Sequence, residues 1–468
     1  MFFQRIKTKG LGHNAYLLGC GEGLAVVVDP RRDVADYLKL ARENNLSIAY
    51  ALETHRQEDF EFGSSSLAEL AGAKIVAGKH PLFGKVDIAL GDGDEFKVGT
   101  TRFVALSTPG HTPESMCYAV YPEDSGDKCW GVFTGDTLFV GDTGRTDLTD
   151  PARTAEHAGI LYDVVHARLA PLGDQALVLP AHGAGSACGG NISERDDSTL
   201  GLERATNPVF NKKRDAFVEQ KVAEKLPRPP YFSHMEVVNL QAGRPLAPSA
   251  AERILVPEQL NRRLGEGLLI DTRPPEAFAG SHIQGSYNIW LDGLSSFGGW
   301  IANGDSTIFL IVDQPAQAPA AVASLARIGI DGVAGILVKG VAGWREAGNR
   351  IAAAGAEVNL AEALRLQGDL GRAREVSEAA LEVARTAGAT LLAAACLAER
   401  GQVLGETGAI EAAVADLREA SAIYRETGSG EGLVEVVEVL ALLAARQGDA
   451  PLALSLEAAA SASRARLP

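Results

Sequence analysis

The chain has 468 residues and a formal net charge of −16, which argues against non-specific binding to nucleic acid or to an anionic membrane. Its composition, 46% hydrophobic and 22% charged, is that of a soluble globular protein, and its length points to about three domains. The five cysteines, Cys20, Cys117, Cys129, Cys188 and Cys396, are far apart, form no CxxC pair and are odd in number, so they read as reduced thiols. The opening MFFQRIKTKG has no signal-peptide layout and no apolar run reaches membrane-spanning length, so the expected location is cytoplasmic.

Residues 1–224 alternate short β-type apolar runs with Gly, Asp and His turns. Four of these runs end in a side chain able to bind metal. SIAYALET leads into His55, RFVALSTPG into His111, WGVFTG into Asp136 and ALVLPA into His182. Residues at strand ends converge on one edge of a sheet sandwich, so four such side chains predict one shared site.

The stretches THRQEDF, STPGHTPES, FTGDTLFVGDTGRTDL and LPAHGAG resemble the metallo-β-lactamase superfamily over most of residues 1–220. GDT followed by GRTDL is similar to the persulfide dioxygenases within it; glyoxalase II is the related hydrolase. The resemblance implies an αββα sandwich. The superfamily's usual first motif is HxHxDH, but here Gln57 and Phe60 take the second and last His positions. A binuclear zinc site loses ligands to both ions by those changes. His55, His111 and Asp136 remain, two histidines and a carboxylate, which is the facial triad of non-haem Fe(II) oxygenases. The resemblance implies that these three bind one Fe²⁺ per chain and are the catalytic residues. It also implies that a small-molecule thiol persulfide is oxidised by O₂ to sulfite and thiol.

Asp59 and His182 match superfamily ligands of a second metal and are expected here to hydrogen-bond behind the first. His182 is also a candidate polar wall of the substrate pocket. Arg145, in GRTDL, is either a tether to a nearby carboxylate or a holder of the anionic substrate. Cys188, in the Gly-rich HGAGSACGG, is a candidate acceptor of sulfane sulfur, and Cys20 is a lesser one. Arg145, His182 and Cys188 form the expected substrate-binding set.

Residues 225–250 are Pro-rich and weakly periodic, and are expected to form a linker or irregular packing strap. Residues 251–352 resume a β/α rhythm. LLIDTRPPEAFAGSHIQGSYNI and VKGVAGWREAG resemble the opening and close of a rhodanese domain, through Asp271, Arg273, Glu276, His282, Gly285 and Asn288. After the strand TIFLIV, Asp313 stands where the active rhodanese loop has its cysteine, Pro315 removes an N–H from the anion cradle, and Ala318 takes the Arg position. The domain is therefore expected to be inert in sulfur transfer.

From residue 356 to 468 the chain is rich in Ala, Leu, Glu and Arg and reads as all-helical. Gly368, Gly408 and Gly448 recur 40 residues apart between helical apolar patterns, a spacing that resembles tetratricopeptide-type repeats. Such repeats are expected to offer a surface to a protein partner. Two other functions compete with the dioxygenase: a zinc-dependent thioester hydrolase like glyoxalase II, and a non-catalytic scaffold.

Overall fold

The computed structural model describes residues 1–246, 254–338 and 340–465. The last residues of the expected linker, 247–250, and the first of the second region, 251–253, lie outside the described residues. So do Lys339, within VKGVAGWREAG, and residues 466–468.

The first region is two six-stranded sheets face to face. β1 (Phe2–Thr8), β2 (His13–Gly19), β3 (Leu24–Val28), β4 (Ser47–Leu52), β5 (Lys74–Gly78) and β6 (Ile88–Leu90) form one sheet in that order. β7 (Glu95–Val98), β8 (Thr101–Ser107), β9 (Met116–Pro122), β10 (Gly131–Gly135), β11 (Leu177–Pro180) and β12 (Ser198–Thr199) form the other, ordered β12-β11-β10-β9-β8-β7. The layering follows from strand alternation. On β2 and β3, Tyr16, Leu18, Val26 and Val28 face the space between the sheets, where they meet Phe103, Tyr118, Val120 and Phe133. Their neighbours Ala15, Leu17, Ala25 and Val27 face outward, against Tyr37 and Ala41 of helix Ala35–Glu43 and Leu67 of helix Ser64–Ala71. The second sheet repeats the pattern: Cys117, Ala119 and Val132 pack on Leu161 of helix Thr154–Val164 and Phe217 of helix Arg214–Ala223. Strands apolar on both faces must be covered on both faces, and the result is an αββα sandwich. Each fully buried Val or Leu adds roughly 1.5–3 kcal/mol to it.

The second region holds the parallel sheet β13 (Ile254–Leu255), β14 (Leu268–Asp271), β15 (Tyr287–Asn288), β16 (Ile308–Ile311) and β17 (Val333–Leu337), ordered β13-β17-β16-β14-β15. The rhodanese-motif residues hold its turns. Arg273 makes a two-point contact with Asp271, and Asn288 donates to the carbonyls of Asp271 and Arg273.

The stretch expected as a linker is a wedge between the two regions. Tyr231, Phe232, Met235 and Val238, on and beside helix Phe232–Val238, share one core with Phe60 and Phe62 of the first region and Leu294, Leu325 and Ile328 of the second. Arg32 reinforces the joint by reaching Asp331 at 2.8 Å and Glu61 at 3.2 Å.

The C-terminal region is all helical: Gly340–Leu366, Leu370–Thr386, Thr390–Glu406, Ile410–Thr427, Gly430–Arg446 and Ala450–Arg464, each packed on the next. Its turns carry glycines at φ 84°, 65°, 86°, 74° and 81° (Gly368, Gly388, Gly408, Gly428 and Gly448), the left-handed helix ending that favours glycine. Gly388 and Gly428 halve the 40-residue period, so that each turn between successive helices carries one such glycine. The expected boundary near residues 352–356 does not appear as a break, because helix Gly340–Leu366 runs through it. Among the described residues, no helix is long and apolar enough to cross a membrane.

Candidate metal centre

The loops that follow β4, β8, β10 and β11 meet at one edge of the sandwich. His55, His111 and Asp136 offer ligand atoms that all lie within 4.8 Å of one another. His55 Nε2 and His111 Nε2 stand 3.7 and 3.5 Å from Asp136 Oδ2. Each side chain is buried.

The ring orientations are set from behind. His111 Nδ1 lies 2.8 Å from the carbonyl of Arg145, which can only accept, so Nδ1 donates there and Nε2 is the atom turned to the cluster. His55 Nδ1 lies 2.9 Å from Thr54 Oγ1, whose own proton goes to Asp29, so this ring too donates from Nδ1. Gly144 allows the GRTDL loop to approach: a Cβ there would stand 2.2 Å from the Asp136 carbonyl and 2.9 Å from His111 Nδ1.

His182 does not point at this cluster. Its Nδ1 contacts Asp136 Oδ1 at 2.8 Å and its Nε2 contacts Asp59 Oδ2 at 2.9 Å. Burial disfavours its charged form, but the two carboxylates outweigh burial and hold its pKa well above the usual value, so it donates to both. Burial pulls His55 down to about 4. At His111 burial acts the same way, yet the Glu58 and Asp136 carboxylates overcome it and raise the group to about 9.

Glu58 is the site residue that the sequence reading missed. Its Oε2 lies 3.6 Å from His111 Nε2 and 4.0 Å from His55 Nε2. Its only sequence signal is its place three residues after His55, in a turn where a Glu ordinarily faces solvent. His55 Nε2, His111 Nε2, Asp136 Oδ2 and Glu58 Oε2 are all buried without a hydrogen-bond partner. Unpaired polar atoms are costly in an interior. Two imidazoles and two carboxylates with unpaired atoms turned toward one place suit a divalent first-row metal ion.

The other expected site residues divide. Of the two expectations for Arg145, the contacts match the tether. All five of its N–H groups are engaged, by Asp147 twice and by the carbonyls of Ala187, Leu226 and Pro227, so none is left for a substrate anion. It is a tether joining the GRTDL loop to the segment that leads into the interdomain wedge. Cys188 is buried, and with Asp59 and His182 it forms a second group whose ligand atoms lie within 4.8 Å of one another. Burial and the carboxylates of Asp59 and Asp136 push its thiol pKa well above the usual value. Cys20 sits away from the cluster, contacting the Leu18 carbonyl, and burial raises its pKa to about 12. A cleft of about 490 Å³ opens beside the centre, between the first two regions. His13 and His182 reach it from one side, and Trp290, Asp292 and Ser296 from the other.

The chain matches the rhodanese-like domain family over residues 256–347. It is 29% identical over 238 residues to the mitochondrial persulfide dioxygenase of Mus musculus, covering 50% of this chain and 85% of that protein. It is 33% identical over 180 residues to a probable hydroxyacylglutathione hydrolase of Schizosaccharomyces pombe, covering 37% of this chain and 65% of the relative. A solved metallo-β-lactamase structure from Staphylococcus aureus is 30% identical, with a TM-score of 0.63, covering 72% of this chain and 99% of that one. With its αββα sandwich, the histidine and aspartate cluster at the sandwich edge, and these relatives, the chain belongs to the metallo-β-lactamase superfamily and carries a rhodanese-like domain behind its metal-binding domain.

Proposed function

We propose that this protein is a mononuclear non-haem iron persulfide dioxygenase, with His55, His111 and Asp136 as metal ligands. The balanced reaction is RSSH + O₂ + H₂O → RSH + H₂SO₃, with the terminal sulfur oxidised and O₂ reduced. Fe²⁺, when bound, supplies a place where O₂ and the terminal sulfur of the persulfide are held side by side. The observation that carries this reading is the state of His182. Both of its ring nitrogens are held by Asp136 and Asp59, and Phe60 packs a ring 4.1 Å from His13 where the superfamily motif has another imidazole. That arrangement favours one metal ion over two.

The chain's own residues do the positioning. Thr54 and the Arg145 carbonyl hold the two imidazoles by Nδ1 and so aim Nε2 at the cluster, and His182 fixes the Asp136 carboxylate. Burial of the ligands keeps bulk water from the reacting atoms. The cleft lined by His182 and Trp290 is the proposed approach for a low-molecular-weight thiol persulfide, one wall of it supplied by the rhodanese-like domain. The helical array is the proposed site for a protein partner and resembles tetratricopeptide-type repeats. All five cysteines are free, in keeping with a cytoplasmic setting.

One observation favours the hydrolase alternative: Asp59, His182 and Cys188 form a second group able to hold a metal. Metal analysis separates the two readings. One iron per chain with O₂ uptake driven by glutathione or coenzyme A persulfide supports the dioxygenase. Two zinc ions with thioester hydrolysis and no O₂ uptake overturns it.

A further inference from the structure

We propose that Glu58 is a fourth protein ligand of the metal ion held by His55, His111 and Asp136, replacing the imidazole that Gln57 does not supply; the inference rests on the single-metal reading. Donor atoms about 2.0–2.2 Å from a first-row metal lie about 3–4.3 Å from one another. Glu58 Oε2 meets that spacing to the two imidazoles, at 3.6 Å from His111 Nε2 and 4.0 Å from His55 Nε2; the donors already within 4.8 Å of one another are those of His55, His111 and Asp136, so Glu58 joins them by a turn of its side chain when the ion binds. Gln57 cannot serve instead as placed. Its Nε2 is 3.3 Å from His55 Nδ1, so its amide is turned to the side of that ring away from Nε2.

The alternative is that Glu58 simply pairs with a protonated His111. A separation of 3.6 Å is too long for that hydrogen bond, and neither atom has another partner. The Arg145 carbonyl takes the Nδ1 proton of His111, so a bound ion has only to displace a proton at Nε2. Two lone pairs then face each other in a buried site, an arrangement that a cation between them relieves. Among the described residues, no Lys or Arg forms an ion pair with Glu58.

The consequence is chemical. Three protein ligands leave a six-coordinate ion three open positions and, with one carboxylate, a net charge of about +1. Four ligands with two carboxylates leave two positions and no net charge. Two positions suffice for O₂ and one sulfur, with none spare for water.

The full chain, stripped of metal and titrated anaerobically with Co²⁺, tests this without reference to turnover. Affinity is read by competition with a chromophoric chelator, and coordination by the visible absorption of the bound ion. Glu58→Ala should bind Co²⁺ about tenfold or more weakly than wild type and give a changed band pattern. Glu58→Gln, which keeps a neutral oxygen in the same place, should fall between them. If Glu58→Ala does not fold, the band pattern of Glu58→Gln decides. Wild-type affinity and an unchanged spectrum in the folded variants would overturn the proposal, as would wild type that binds no Co²⁺ at this site. A Glu58 effect in a protein that takes up no O₂ with any persulfide would leave the ligand in place and remove the dioxygenase reading.

Discussion

His182 donates from Nδ1 to Asp136 Oδ1 at 2.8 Å and thereby turns the other oxygen of that carboxylate into the metal cluster. The same ring is anchored from behind by Asp59 at 2.9 Å. This geometry separates the proposed metal ligands from a residue that aims one of them. Replacing His55, His111 or Asp136 by Ala should abolish iron loading, measured as metal per chain after reconstitution. His182→Ala should still load one ion, about 10–100-fold more weakly, the usual cost of removing a partner that orients a ligand. Full iron occupancy in His111→Ala would sink the ligand assignment, and a complete loss of metal in His182→Ala would make that residue a ligand.

Arg145 should matter to folding and not to substrate affinity. Its guanidinium is buried and spends every N–H on Asp147 and three carbonyls. Arg145→Ala strands the part-buried carbonyls of Ala187, Leu226 and Pro227, and losing hydrogen bonds to a charged group costs roughly 1.5–3 kcal/mol. Chemical denaturation should show that loss, while KM for a persulfide stays near wild type in protein that remains folded. A raised KM with unchanged stability would return Arg145 to the substrate.

The strands and the convergence of the side chains that follow them were legible because alternation of apolar residues marks a two-faced sheet, and a His or Asp just past such a run has few other reasons to recur four times. Glu58 was not legible. A lone glutamate in a polar turn has no pattern, and only packing shows that its carboxylate is buried against two imidazoles. The wedge at Tyr231–Val238 was hidden for a related reason: Pro-rich, weakly periodic sequence gives no sign of what it packs against, and Phe60 and Phe62 lie about 170 residues earlier. No break marks the position near residue 355 because NRIAAAGAEVNLAEAL has helical propensity throughout, and Gly348 and Gly355 do not stop helix Gly340–Leu366.

The rhodanese-like loop should resist simple repair. Asp313 is exposed after β16, and the backbone N–H of Gln314 is already taken by the Gln317 side chain at 2.9 Å. Pro315 offers no N–H, and Ala318 has no guanidinium to draw an anion. Asp313→Cys should therefore produce no more thiocyanate from thiosulfate and cyanide than wild type. Robust turnover by the single variant would show that the cradle is intact despite these changes.

The helical array should be separable from the chemistry, provided the cut respects the helix that joins them. Val341, near the start of helix Gly340–Leu366, packs in the rhodanese-like core, whereas Ala354 packs with the array. A chain ending at residue 355 would fray a helix that also carries Arg350, paired with Glu258 at 2.9 Å. One ending at Gly368 keeps that helix whole. It gives up the contact of Arg262 with the Thr386 carbonyl, at 3.2 Å, and the array's own packing. Repeat units bury their faces mainly against their neighbours, and none of the four residues at the metal cluster lies beyond residue 136. Residues 1–368 should therefore retain wild-type metal content and persulfide-dependent O₂ uptake, and residues 1–355 should melt at a lower temperature than residues 1–368. A soluble, metal-loaded 1–368 chain without activity would mean that the array completes or gates the site. Equal melting of the two truncations would mean that the joining helix contributes nothing past residue 355.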